Sequence, residues 1–363
     1  MRSFLVLIVI ALMAFQGGCA TAPKKGRVEE MVRPSEAFTI RKVGVFPKTF
    51  SPEKEESITI RWMQSQKGKT TVEIHTENGE RVRHLESIYP AGEHTVVWDG
   101  RDDTERIVPA GVYLYVIQSQ DDQGRQATYD PSFTTGGEEL MVERFTFDKQ
   151  KREFQFILPR AARTRLRIGL SPFLHLRTLL DWEPLEGGTH TLGWDGLDSS
   201  GWVRAIDHPD LSMNLAAFAL PDNAVILKGK EEFSSHMREG AKQSSRSGLY
   251  LHALHDRANC RDISCRVEFP GLEKDERGLP ILQGKTLVRV QLEDKDRNFM
   301  VNQRFEVGFS VDTVFLFEEE DGQDPFNFEW NTTGLSPGEH LLTVNLIGYD
   351  DHLGVKTVRV MKK

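Results

Sequence analysis

The chain has 363 residues, 39% hydrophobic and 28% charged, with a formal net charge of -8. That length suits two or three ordinary domains of soluble globular matter. A mildly acidic chain with no basic stripe carries no electrostatic footprint for nucleic acid. The N-terminus departs from the average: Met1-Arg2 supplies a positive charge, and Phe4 to Phe15 is an almost unbroken apolar run. The run has the length of a signal-peptide h-region and is short for a bilayer span. No polar residue gives it an amphipathic face. Residues 1–18 are therefore read as a signal peptide, and the charged, Pro-containing stretch 19–40 as a tether.

Small residues precede the first cysteine. Gln16-Gly17-Gly18-Cys19-Ala20 resembles the lipobox read by the bacterial lipoprotein signal peptidase, with Gln16 in a place usually held by an aliphatic residue. The resemblance implies that Cys19 is lipidated and becomes the first residue of an exported, membrane-anchored protein. Ala20, where an inner-membrane lipoprotein would carry Asp, implies the outer membrane, with either face open. Each buried methylene contributes about 0.8 kcal/mol, so several acyl chains hold firmly.

The next signal is a repeat. Ala91-Gly92-Glu93-His94-Thr95-Val96-Val97-Trp98-Asp99-Gly100-Arg101-Asp102-Asp103 returns as Gly187-Gly188-Thr189-His190-Thr191-Leu192-Gly193-Trp194-Asp195-Gly196-Leu197-Asp198-Ser199, a constant 96 residues later. Gly, His, Thr, Trp, Asp, Gly and Asp stay in register. The flanks alternate as half-buried strands: Ser57 to Trp62, Thr70 to His75 and Val112 to Ile117 in the first copy, Glu153 to Leu158 and Thr164 to Gly169 in the second. Asn78-Gly79 predicts a hairpin turn with positive φ at both central positions. Short strands between turn signals predict an all-β chain of tandem immunoglobulin-like β-sandwiches. The copies are placed at 41–137 and 138–229. A polar linker or insertion follows at 230–266, with a short helix expected near Leu249 to His255. A third sandwich is placed at 267–363, with strands at Thr286 to Leu292, Glu306 to Val311, Thr313 to Phe317, Phe326 to Trp330, Leu341 to Leu346 and Val355 to Val360. Within it, Gly338-Glu339-His340 echoes Gly92-Glu93-His94.

The first copy resembles the immunoglobulin-like domain of the flagellar hook-capping (FlgD-type) family. The resemblance rests on Asn78-Gly79 with Arg81-Val82, Ala91-Gly92-Glu93-His94, Trp98-Asp99-Gly100-Arg101-Asp102-Asp103 and Pro109-Ala110-Gly111-Val112-Tyr113, over about residues 48–120. The second copy keeps the Trp-Asp-Gly core and lacks the Ala-Gly-Val-Tyr hairpin, so it is a diverged copy. The resemblance implies modules that pack, space or assemble in secreted proteins, with no chemistry of their own; flagellar function does not follow from the domain.

Candidate sites are few. Trp98, Asp99, Gly100, Trp194, Asp195 and Gly196 read as structural repeat core, each Trp filling the space between sheets and each Asp-Gly turning the chain. Asp99, Asp102 and Asp103 lack the alternating spacing of a calcium loop. Cys260 and Cys265, the cysteines left after Cys19, are read as a disulfide in an oxidising compartment. The alternative is a zinc site with His252 and His255. Nucleophile elbow, phosphate loop, dinucleotide fingerprint and zincin motifs are missing, so the chain is not read as an enzyme and no cofactor is implied. Glu318-Glu319-Glu320-Asp321 reads as a solvated loop. The function expected is a cell-envelope scaffold, spacer or interaction module with protein partners. The alternative is a glycan- or metal-binding module using 230–266, with Trp182 and Trp202 as exposed aromatics.

Overall fold

The computed structural model describes residues 37–229, 261–300, 304–348 and 352–363, and they form an all-β chain of sandwiches. In the first sandwich, β1 (Ile40–Phe46), β3 (Ile58–Gln64) and β6 (Gly92–Trp98) pair in the order β1-β3-β6. The facing sheet contains β2 (Thr49–Phe50), β4 (Gly68–Thr76), β5 (Arg81–Tyr89), β7 (Gly111–Gln120) and β8 (Gln126–Tyr129), with β8 paired to β7. Alternation sets the register: Ile58, Ile60 and Trp62 of β3 and Val72 and Ile74 of β4 are buried in one core with Tyr113, Tyr115 and Ile117 of β7. The β4–β5 connection differs from the turn expected at Asn78-Gly79. Only Gly79 has positive φ, at 80°. Gly79 N–H donates to the Thr76 carbonyl at 2.9 Å, and the ladder shifts register between Ile74 and His75. This is a type I turn closed by a left-handed glycine and a bulge, which asks nothing unusual of Asn78.

The second sandwich repeats the plan of the first. One sheet is β9 (Glu143–Asp148), β10 (Glu153–Leu158) and β13 (Gly188–Gly193), in the order β13-β10-β9. The other is β11 (Ala162–Leu170), β12 (Leu174–Leu185) and β14 (Leu211–Ala219), in the order β12-β11-β14. Phe154, Leu166, Ile168, Leu176, Trp194 and Ile206 fill its core.

Ala224–Leu227 forms β15 (AVIL), buried throughout. Although it lies within 138–229, the stretch expected to form the second copy, it is hydrogen-bonded to the first sandwich. It runs antiparallel to β7, Ala224 opposite Leu114 and Leu227 opposite Gly111, and parallel to β2. The first sandwich's larger sheet is thus β2-β15-β7-β4-β5. A continuous apolar run is what a strand covered on both faces requires. Val225 and Leu227 enter the first core, while Ala224 and Ile226 pack with Val112, Leu114 and Leu220, against which Ala161 of the second sandwich lies. Asn223 fixes the entry, its Nδ2 donating to the Tyr115 carbonyl at 2.9 Å. The second sandwich is therefore inserted between two parts of the first.

The third sandwich faces β16 (Cys265–Glu268), β18 (Lys285–Leu292) and β21 (Phe326–Asn331) against a five-stranded sheet. That sheet contains β17 (Ile281–Leu282), β19 (Phe305–Val311), β20 (Val314–Gly322), β22 (Gly338–Gly348) and β23 (Leu353–Lys362), in the order β17-β23-β22-β19-β20. A short helix, α1 (Asp294–Met300), follows β18. Val288, Val290, Phe305, Phe309, Trp330 and Val344 belong to its core.

Because Leu227 completes the first core from beyond the last strand of the second sandwich, Leu227→Ala should cost about 2–5 kcal/mol. Native-state hydrogen exchange should show the amides of β4 and β7 losing protection before those of β11. Loss confined to β11 and β14 would contradict the placement of β15.

Candidate functional site

Trp98 ends β6 with its ring buried edge-on against Phe50 and Tyr113, at centroid distances of 5.5 and 5.3 Å. Its Nε1 donates to the Arg101 carbonyl at 2.9 Å, and the Arg101 N–H donates to Asp99 Oδ1 at 3.2 Å. Gly100 has φ of 80°, and a Cβ there would lie 2.3 Å from Pro52 Cγ, so only glycine fits. The second copy reproduces each part. Trp194 packs on Phe147 at 5.6 Å, its Nε1 donates to the Leu197 carbonyl at 2.9 Å, and the Leu197 N–H donates to Asp195 Oδ1 at 3.0 Å. Gly196 has φ of 86°, with Ile206 where a Cβ would go. The neighbouring carboxylates are equally occupied. Asp103 Oδ1 accepts the His84 N–H at 2.9 Å, and Asp102 Oδ1 accepts from Thr104 and from the Arg106 N–H. The Thr104 hydroxyl first, then the Arg106 N–H, lower the Asp102 pKa to about 2. These oxygens turn the backbone.

The Gly-x-His segments form a second recurrent device. Gly92, Gly188 and Gly338 have φ of 128°, 126° and 134°. Two residues on, Nε2 of His94, His190 and His340 donates to the carbonyl four residues back, Pro90, Glu186 and Ser336, each at 2.8 Å. The first two rings also pack on a core aromatic, His94 on Trp62 at 5.7 Å and His190 on Phe156 at 5.3 Å. His340 differs in place. It lies near the start of β22, the strand that stands in the third sandwich where β7 stands in the first. Tyr113 near the start of β7 closes the same span, its hydroxyl donating to the Pro109 carbonyl at 2.6 Å, the arrangement of a tyrosine corner. His340 does the work of that tyrosine, and its Nδ1 meets Asp312 Oδ2 at 2.5 Å. Asp312 first, then the Ser336 carbonyl, raise its pKa.

Buried polar pairs join the sandwiches. Glu77 and Arg163 meet in a two-point ion pair between first and second, Arg163 Nε donating to Glu77 Oε1 at 3.0 Å. Arg163 also donates to the Trp182 carbonyl at 2.8 Å. Between second and third, buried Asn345 of β22 accepts the His175 N–H and donates to the His175 carbonyl, both at 2.9 Å. The His175 ring is pushed down to about 3 by burial and then by Arg167 and Arg165. Nearby, the Asp262 N–H donates to Asp181 Oδ2 at 2.8 Å while Arg167 holds Asp262 at 3.0 Å. Burial and Asp262 raise the Asp181 pKa to about 6.

Cys19, His252, His255 and Cys260, with the helix expected near Leu249 to His255, lie outside the described residues. Cys265 is buried at the start of β16, and burial raises its thiol to about 12. Among the described residues no cluster of three or more His, Cys, Asp or Glu could hold a metal. Trp182 is not an exposed platform: it is 3% exposed, beneath Arg165 at 4.7 Å and against Phe218 at 5.4 Å. Trp202 is 49% exposed, with the Arg359 guanidinium of β23 4.0 Å over its ring. Glu318 to Asp321 are not a loop; they belong to the second half of β20. A polar depression of about 270 Å³ on the outer face of the first sandwich includes Lys69 and Glu86, which pair at 2.9 Å.

Repeated sandwiches with structural corners and polar seams define an all-β chain of immunoglobulin-like modules. Residues 48–123 match the FlgD Ig-like domain family. Among solved structures, FlgD from P. aeruginosa is similar at 21% identity over 20% of this chain and 57% of that one, with a TM-score of 0.19. The fibronectin(III)-like modules of Clostridium thermocellum CbhA are similar at 9% identity over 88% and 94%, with a TM-score of 0.20. A bacterial ice-binding adhesin is similar at 10% identity over 89% and 96%, with a TM-score of 0.18. No curated protein sequence matches the chain.

Trp98→Ala and Trp194→Ala should each cost about 3–5 kcal/mol in denaturant unfolding, the range for a buried aromatic; near-neutral changes would contradict the role as core. His340 carries a pH signature. An unfolded histidine titrates at about pH 6.5. With the folded pKa raised, its stabilisation is fully present below that value and is lost as pH rises through the folded pKa. The stability difference between wild type and His340→Gln should therefore shrink on going from mildly acidic to alkaline buffer. A difference that grows would reverse the sign and refute the Asp312 contact.

Proposed function

We propose that the chain is a non-catalytic, lipid-anchored protein of the bacterial cell envelope that acts as a scaffold or spacer with protein partners. The observation that carries the scaffold reading is the coupling of neighbouring modules. The second sandwich is inserted into the first through β15 and pinned by Glu77–Arg163, and the third meets the second through Asn345–His175. Such seams hold modules at fixed separation, which suits an assembly part more than independent ligand-binding beads. The FlgD Ig-like match supports a module class typical of interaction and scaffolding. The anchor is supported by the sequence alone: the apolar run Phe4 to Phe15, then Gly17-Gly18-Cys19-Ala20. Ala20 supports the outer membrane. The glycan reading loses Trp182 to the core and one face of Trp202 to Arg359. A metal-binding reading would rest on His252, His255, Cys260 and Cys265.

Radiolabelled fatty acid should enter the wild-type protein and not Cys19→Ala, which should be released from the membrane fraction. Equal labelling of the two would overturn the anchor. In-cell crosslinking of the anchored chain should recover the same envelope proteins repeatedly; recovery of none would overturn the scaffold reading.

A further inference from the structure

The five-stranded sheet of the third sandwich ends on β20, whose outer edge pairs with no strand among the described residues. An open edge offers unpaired backbone groups to an incoming strand, and soluble proteins usually blunt it with charge or bulges. β20 does so only in part. Its ladder with β19 is irregular near Leu316 and again beyond Glu319. Its second half is acidic, but its first half is apolar and exposed: Val314 by 68%, Phe315 by 56% and Leu316 by 37%. Three consecutive apolar residues left in water on a free edge mark an interaction surface.

The turn that presents them is fixed. Asp312 and Thr313 between β19 and β20 have φ of 50° and 71°. A β-branched residue in the left-handed region is costly and persists only where its surroundings enforce it. Here Asp312 bonds His340 through one oxygen and accepts the Leu341 N–H at 2.9 Å through the other. The apolar residues are thereby held in place before any partner arrives, which lowers the ordering cost of binding.

Charge selects the occupant. Glu318 is exposed and makes no ion pair among the described residues, whereas Asp321 is already paired with Arg304 at 2.6 Å. β20 contains no basic residue. A second copy of this strand therefore offers Glu318 no cation, and two-fold antiparallel pairing centred on Glu318 would set Glu318 against Glu318, an unfavourable pair. We propose that the free edge of β20 docks an extended polypeptide segment of a protein partner, one whose apolar stretch covers Val314, Phe315 and Leu316 and whose Lys or Arg faces Glu318. This deepens the scaffold reading and rests on it, naming the surface and the chemistry of the partner.

The test uses the full chain and a fluorescent synthetic peptide of alternating Val and Thr followed by alternating Lys and Thr, read by anisotropy. A control peptide carries Glu for Lys. The Lys peptide should bind, more weakly as salt rises, and the Glu peptide roughly tenfold more weakly or worse. Phe315→Ser should weaken the Lys peptide by about tenfold, the loss of one apolar anchor. Glu318→Lys should reverse the preference between peptides. Both positions are exposed, and unchanged thermal unfolding would confirm that each variant folds. A Lys peptide that fails to bind wild type, or binds both variants as it binds wild type, overturns the proposal. If in-cell crosslinking then still recovers partners with Phe315→Ser, only the assignment to β20 falls; if wild type too recovers none, the scaffold reading falls with it.

Discussion

The seam between the first and second sandwiches is closed by a buried ion pair, Glu77 with Arg163. Glu77 leaves the first sandwich at the β4–β5 loop, and Arg163 stands on β11 of the second. Taking both charges out of water is costly, and their mutual attraction repays it only with good geometry and further hydrogen bonds. The two-point contact and the third bond from Arg163 to the Trp182 carbonyl supply both. The pair lies across the same seam that the chain leaving β14 crosses to reach the flank of β7. There Ala224–Leu227 adds a strand and closes the first core.

Inside each module the same few local devices recur. Asp102, Asp121 and Asp275 open hairpin loops in which the Asp N–H donates to the carbonyl four residues on, at 2.9, 3.0 and 2.9 Å, while its carboxylate accepts the N–H from that residue. Asp198 does the same across one residue more, to Val203. An aspartate that satisfies the loop's own amides makes a tight connection without glycine at every corner. The Gly-x-His and Tyr113 closures follow the same rule: a side-chain donor fastened to the carbonyl four residues back fixes the angle at which a strand begins. Sharing the closure between tyrosine and histidine gives His340 a pH dependence that Tyr113 lacks.

Much of this is legible from the residues. The Trp-Asp-Gly repeat predicts two equivalent modules because tryptophan at a strand end and Asp-Gly after it have local mechanisms, and both corners have the same hydrogen bonds. Alternation locates most strands. Other features are not legible. β15 is a short apolar run that fits either module, and only the partner it meets decides. Trp182 has no counterpart in the first copy and reads as exposed, yet it is buried, at a position with φ of 56°. Polar residues at the seams carry a faint signal: Asn345 interrupts the apolar run of β22, and Glu77 precedes a turn, but neither names a partner far along the chain. Glu318 to Asp321 have the charge density of a loop, and pairing with β19 overrides it.

Buried seams of this kind couple neighbouring sandwiches energetically, beyond tethering them. A double-mutant cycle at Glu77 and Arg163 tests that coupling most directly. Glu77→Gln or Arg163→Met alone leaves a buried charge without its partner and should cost about 3–5 kcal/mol in equilibrium unfolding. The double variant should cost far less than the sum, which measures the coupling across the seam. Additive losses, or single variants within experimental error of wild type, would show that the sandwiches only lie side by side.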